Sequence, residues 1–148
     1  MGDDWERVNT GAPDRHVMAR ARTVAEEYEQ LVADAEFDDP IDPEEVRLLL
    51  SDGIRSDAGR LDVTWTDERY YRYHSTEGDR FNFRYDRHPR EDLPDERFHQ
   101  SPDAGHDDAV PSCIEVTTVR LVTLAVLQLW REATRTGELD RLQQPDPP

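Results

Sequence analysis

The spacing of apolar positions changes twice along the chain. From Pro13 to about Ala35 they fall at Val17, Ala21, Val24, Ala25, Tyr28, Leu31, Val32 and Ala35, which is one face of an amphipathic helix. Pro13 suits the first turn of such a helix. The acidic, proline-broken stretch EFDDPIDPEE then reads as a connector. Beyond it the period drops to two. Val46, Leu48 and Leu50 alternate, the loop SDGIRSDAG follows, and Leu61, Val63 and Trp65 alternate again. Tyr71 and Tyr73 come next, and past the turn STEGD stand Phe81, Phe83 and Tyr85. Hairpins closed over DER and STEGD set Trp65 opposite Tyr71 and Tyr71 opposite Phe83, with Val63, Tyr73 and Phe81 in the neighbouring row.

Residues 87–111 hold four prolines and no sustained period, so they read as a long loop. In the last element Ser112 and Glu115 have the spacing of a capping box, and Gly137 is a natural stop. Between them Val119 to Trp130 reads VRLVTLAVLQLW. One sheet face does not cover a helix that is apolar nearly all round. This predicts an interface at Leu121, Val122, Val126, Leu129 and Trp130, with a second copy or a protein partner.

The expected fold is therefore α+β: an antiparallel meander of about four strands packed by an N-terminal and a C-terminal helix, over residues 12–136. A mobile lead-in, 1–11, and a disordered tail, 137–148, flank it.

Charge changes the picture of the surface. Acidic residues number 34 against 18 basic ones, a net −16, and every basic residue is Arg. The acids are spread between periodic segments rather than gathered in a tail. That distribution fits a cytoplasmic protein of a cell that keeps molar salt inside, where self-repulsion is screened over about 3 Å. Its melting temperature should then rise from about 0.1 M to molar KCl, and a flat profile would contradict the halophilic reading. No apolar run reaches the roughly 20 residues of a membrane helix, and the N-terminus MGDDWERVNTGAPD lacks the apolar stretch of a secretory signal.

The meander's second face carries the candidate chemistry. Arg72, His74, Arg80, Asn82, Arg84 and Asp86 all fall on it. Arginine forks match phosphate oxygens, so Arg72, His74, Asn82 and Arg84 read as a substrate-binding set for an anion. The alternative is a solvated face paired with local acids. Of five histidines, His74, His88, His99 and His106 lie between 74 and 106. His88 and His99, with Asp86 to orient one of them, suit a general acid/base pair for cleaving a phosphodiester. Metal binding with Asp103, Asp107 or Asp108 matches no compact ligand motif, so no metal or cofactor is expected. The single Cys113 excludes a disulfide framework and reads as a small packed residue at the start of the last helix.

The segments Tyr71-Arg72-Tyr73-His74, Phe83-Arg84-Tyr85-Asp86 and Phe98-His99, followed by the apolar helix, resemble the TumE family. The likeness spans about residues 46–133. Its members are small toxins of toxin–antitoxin pairs, encoded beside a small antitoxin. The resemblance implies site roles for Arg84, Asp86, His88 and His99. Arg87, where the family has Asn, and Arg90 and His106 carry none. Two functions follow as expectations. One is a toxin acting on RNA or nucleotide through the Arg/His face, as a ribonuclease-like enzyme. The other is a non-catalytic interaction module that uses the C-terminal helix.

Overall fold

The computed structural model describes residues 11–78, 81–87, 96–100, 104 and 109–143. Helix α1 spans Arg15–Tyr28, strands β1 to β7 span Val32–Phe37, Val46–Leu50, Gly59–Trp65, Tyr71–Glu77, Phe81–Arg87, Glu96–His99 and Ala109–Pro111, and helix α2 spans Val119–Thr136. A 3₁₀ turn, Leu139–Gln143, follows. The strands form one antiparallel sheet in the order β1-β2-β3-β4-β5-β6-β7, each pairing with its sequence neighbour. The fold is α+β as expected, with seven strands rather than about four.

The additional strands explain themselves physically. Leu31, Val32 and Ala35 continue the helical spacing, yet the helix ends at Tyr28 and Val32–Phe37 is β1. A bulge between Val32 and Asp34 inserts one residue, which brings Val32 and Ala35 onto one side at a helix-like separation of three. Strands β6 and β7 lie inside the stretch read as a loop. Residues 96–99 alternate, but their second face buries Arg97 and His99 rather than apolar side chains. β7 is only three residues long.

The apolar face of β2–β6 meets both helices. Val63, Trp65, Tyr71, Tyr73, Phe83 and Tyr85 are buried against Met18, Ala21 and Ala25 of α1 and Val122, Val126 and Trp130 of α2. Trp65 Nε1 donates to Tyr73 Oη at 2.8 Å, and Tyr73 Oη meets Thr123 Oγ1 of α2 at 2.5 Å. Trp65 thus donates to Tyr73, and the Tyr73 and Thr123 hydroxyls share a hydrogen bond in which either can donate, which ties sheet to helix. Trp65 does pair with Tyr71, and Val63 with Tyr73. The second hairpin is four positions out of the expected register: Tyr71 opposes Arg87 and Glu77 opposes Phe81. An even shift keeps every side chain on its expected face. The cause is Glu77, a buried carboxylate that accepts from the amides of Ile54 (2.7 Å) and Arg55 (2.8 Å) and so extends β4 beyond the first turn-like residues.

Other boundaries move as well. Pro13 precedes the first turn of α1 rather than standing in it: Asp14 is the cap, accepting from the amides of His16 (3.0 Å) and Val17 (3.2 Å). The N-cap of α2 is Thr118, so the Ser112–Glu115 capping box does not start that helix, and Cys113 lies before it. Gly137 does end it, in the left-handed conformation at φ 73°. Part of the tail read as disordered is ordered: Tyr85 Oη donates to the Leu142 carbonyl at 2.5 Å, and Leu142 is buried. The lead-in 1–10 and the last residues, 144–148, lie outside the described residues.

Candidate functional site

Successive strands build the site on the face away from the helices. The register sets Asp62, His74, Arg84 and His99 in one row across β3–β6, and Arg72, Asp86 and Arg97 in the next across β4–β6. A sheet face of this kind is normally solvated. Here its centre is closed: Asp86 is 0% exposed and Arg97 and His99 are each 1%. The side chains of Arg72 and Arg84 keep 17% and 18% of their surface, which makes them the rim of the cluster.

Asp86 is the hub. His99 Nε2 lies 3.0 Å from its Oδ2, Arg84 Nε donates to the same oxygen at 3.0 Å, and Arg72 Nε stands 3.5 Å from Oδ1. Burial pulls the Asp86 pKa upward. The hydrogen bond from His99, then the charges of Arg84 and Arg72, outweigh that pull and hold it at about 2. An ionised Asp86 takes a proton-bearing Nε2, which turns Nδ1 of the ring toward Arg84 Nη2 at 3.3 Å. Arg84 Nη2 lies 3.3 Å from Nε2 as well, so it sits over the ring, equidistant from its two nitrogens. The carboxylate orients the ring, and the guanidinium covers the ring's free nitrogen.

His74 occupies the next position of the row and bonds Asn82 Oδ1 through Nε2 at 3.0 Å. Next to it Asp62 accepts from Arg60 Nε at 3.1 Å and lies 3.4 Å from Arg47 Nε. Arg72, His74, Asn82, Arg84, Asp86 and His99 are therefore brought to one face, as the alternation of β4 and β5 implied. His99 reaches it from a strand rather than a loop. His88, Arg80, His106, Arg90 and the aspartates 103, 107 and 108 lie outside the described residues. Sequence reasoning missed Arg97 and Asp62. Their signal was the R-F-H alternation around Phe98 and an acid set between Leu61 and Val63.

One further expectation changes. Val122, Val126, Leu129 and Trp130 are buried in the core, because the sheet covers one side of α2 and α1 another; of the expected interface only Leu121 is exposed, at 43%. Burial pushes the Cys113 thiol pKa up. Among the described residues no three His, Cys, Asp or Glu side chains are grouped so as to hold a metal ion, and no helix is long and apolar enough to cross a membrane.

With this geometry in view, the comparison with protein families is decisive. The family model described as toxin TumE matches residues 20–135, which runs from α1 to the end of α2. The chain belongs to the TumE toxin family. It is thus a toxin-like component of a toxin–antitoxin system, and the Asp86 cluster is this TumE protein's most heavily charged interior feature among the described residues. No curated protein and no solved structure matches it.

Proposed function

We propose that this TumE toxin acts on RNA, in the cytoplasm, through the Arg/His face, and that an antitoxin-like protein holds it in check. Arg84 carries the reading. It commits Nε to Asp86 and Nη2 to His99, while its Nη1 bonds nothing among the described residues and its side chain reaches the surface. A guanidinium so anchored is pre-organised for a phosphate oxygen. Arg72, fixed to the other oxygen of Asp86, supports a second contact at the rim.

The chemistry follows from the assignment. The RNA 2′-hydroxyl loses its proton to a histidine, its oxygen attacks the adjacent phosphorus, and the 5′-oxygen leaves with a proton from a second histidine. His99 and His88 take these two roles, Asp86 orients the His99 ring, and Arg84 stabilises the charge on the phosphoryl oxygens. A phosphate that draws Arg84 Nη2 to itself uncovers Nδ1 of His99, so binding readies the base. His74 and Asn82 border the same rim and bind substrate.

The test is growth after tightly controlled induction. Wild type is expected to arrest growth, and Arg84→Ala and His99→Ala are each expected to lift the arrest at equal protein level. A wild type that leaves growth and cellular RNA untouched contradicts the proposal, as does an Arg84→Ala variant as toxic as wild type.

A further inference from the structure

Between α1, the β3–β4 turn and the start of α2 lies an open hollow of about 260 Å³. His16 and Val17 line it from α1, Arg69 from the turn, and Thr118 and Val119 from α2. Its surface is almost wholly apolar, and among the described residues no carboxylate stands on its walls. Val17 and Val119 are partly buried there and pack against the core behind them. The guanidinium of Arg120 is placed elsewhere, over the Tyr28 ring at 5.6 Å from its centroid. The hollow suits an apolar group rather than a charged one.

The chain itself delivers such a group to this place. Residues 11–14 run back along the β3–β4 turn. The Asp14 amide donates to the Trp65 carbonyl at 2.8 Å, the Asp67 amide donates to the Ala12 carbonyl at 2.9 Å, and the Ala12 amide donates to Asp67 Oδ1 at 3.2 Å. Gly11, at φ 90°, is pressed against the same turn, where a Cβ would run into the side chains of Asp67 and Glu68. Arg69, two residues beyond Asp67, is a wall of the hollow. Residues 1–10 therefore join the fold beside that wall. They read MGDDWERVNT, and Trp5 stands six positions before Gly11, a reach of about 20 Å for an extended chain. Its indole is the largest apolar surface in the segment, and it joins an apolar body to a polar N–H, which suits an open hollow at the boundary with water. The flanking Asp4 and Glu6 meet no like charge on the walls.

We infer that the Trp5 indole docks in this hollow, so that the N-terminal segment packs across the junction of α1 and α2 instead of forming the mobile lead-in its polarity suggests. The occupant is the chain's own segment because the tether is short. It holds the indole at an effective concentration on the order of millimolar, above what a second copy reaches in dilute solution. The hollow shares no residue with the Asp86 cluster, and the inference stands whether or not that cluster acts on RNA.

The experiment records nuclear Overhauser contacts between the Trp5 ring and the methyl groups of Val17 and Val119 in the full chain, with acrylamide quenching of fluorescence alongside. Trp65 and Trp130 are fully buried, so the quenching reports on Trp5. Wild type is expected to show contacts to both valines and weak quenching. Trp5→Ala should lower Tm by roughly 3–6 °C, the effect of uncovering the hollow. Thr118→Glu puts a carboxylate on the wall without breaking a cap, since the Thr118 side chain makes no cap bond and a helix N-terminus favours negative charge. That variant should keep its helices and yet be quenched more steeply than wild type. A Trp5 ring with no contact to either valine overturns the inference, as does a Trp5→Ala variant that melts with wild type. Quenching of Thr118→Glu no steeper than that of wild type overturns it too. Contacts seen only between differently labelled copies assign the hollow to a second chain and overturn the intramolecular docking.

Discussion

Asp86→Ala is expected to destabilise the protein by about 3–5 kcal/mol, because it leaves charged partners buried around an absent carboxylate. The residue is fully buried, with His99 at 3.0 Å and Arg84 and Arg72 at 3.0 and 3.5 Å. Removing it strands the anchored Nε of Arg84 and the Nε2 proton of His99 where water does not reach them. Tm should fall by roughly 6–20 °C, measured in molar KCl so that surface repulsion does not add to the loss. The same carboxylate sets an acid limit. Its folded pKa, about 2, lies below the ordinary 3.8. Its contribution is therefore complete above about pH 4 and is lost as pH falls from about 4 to 2, a loss of roughly 2 kcal/mol. Asp86→Ala should flatten that part of the stability profile. A variant that melts within a degree of wild type, with the acid limb unchanged, contradicts the role given to Asp86.

Trp65→Ala is expected to cost a similar amount, about 3–5 kcal/mol, for a different reason. The indole is fully buried, packs 4.9 Å from the Tyr71 ring and edge-on to Tyr73, and donates to Tyr73 Oη. Its removal opens a cavity beneath both helices and breaks the relay to Thr123. Tyr73→Phe isolates the polar part of that loss. It keeps the ring but leaves the Trp65 donor and the Thr123 hydroxyl unmatched in the core, a loss of about 1–3 kcal/mol. Chemical denaturation in molar KCl separates the two effects. If Tyr73→Phe is neutral, the hydrogen-bonded link between sheet and helix does not contribute to stability.

The elements legible in the sequence are those whose burial is one-sided. β2 to β5 announce themselves through Val46, Leu48, Leu50, Leu61, Val63, Trp65, Tyr71, Tyr73, Phe83 and Tyr85, all buried on the helix-facing side. The polar partners Arg72, His74, Arg84 and Asp86 are read off the same alternation. What stayed hidden has a common cause: polar groups doing interior work. Glu77 extends β4 by binding loop amides, so turn-like residues hid the true register. Arg97 and His99 are buried on the second face of β6, so no apolar alternation marked that strand. The bulge in β1 imitated a helical period. The apolar run of α2 misled in the opposite sense, for a seven-stranded sheet and α1 cover more of the helix than four strands would.

The central claim is that the Asp86-centred face acts on RNA, with binding on Arg84 and turnover on His99. The most direct measurement incubates purified wild type, Arg84→Ala and His99→Ala with end-labelled single-stranded RNA, following binding and cleavage across a salt series. Wild type should bind and cut, with affinity falling as salt rises because phosphate contacts dominate. Arg84→Ala should neither bind nor cut, whereas His99→Ala should bind as wild type does and yield no products. Equal blindness to RNA in all three proteins, or cleavage by His99→Ala at the wild-type rate, would contradict the account.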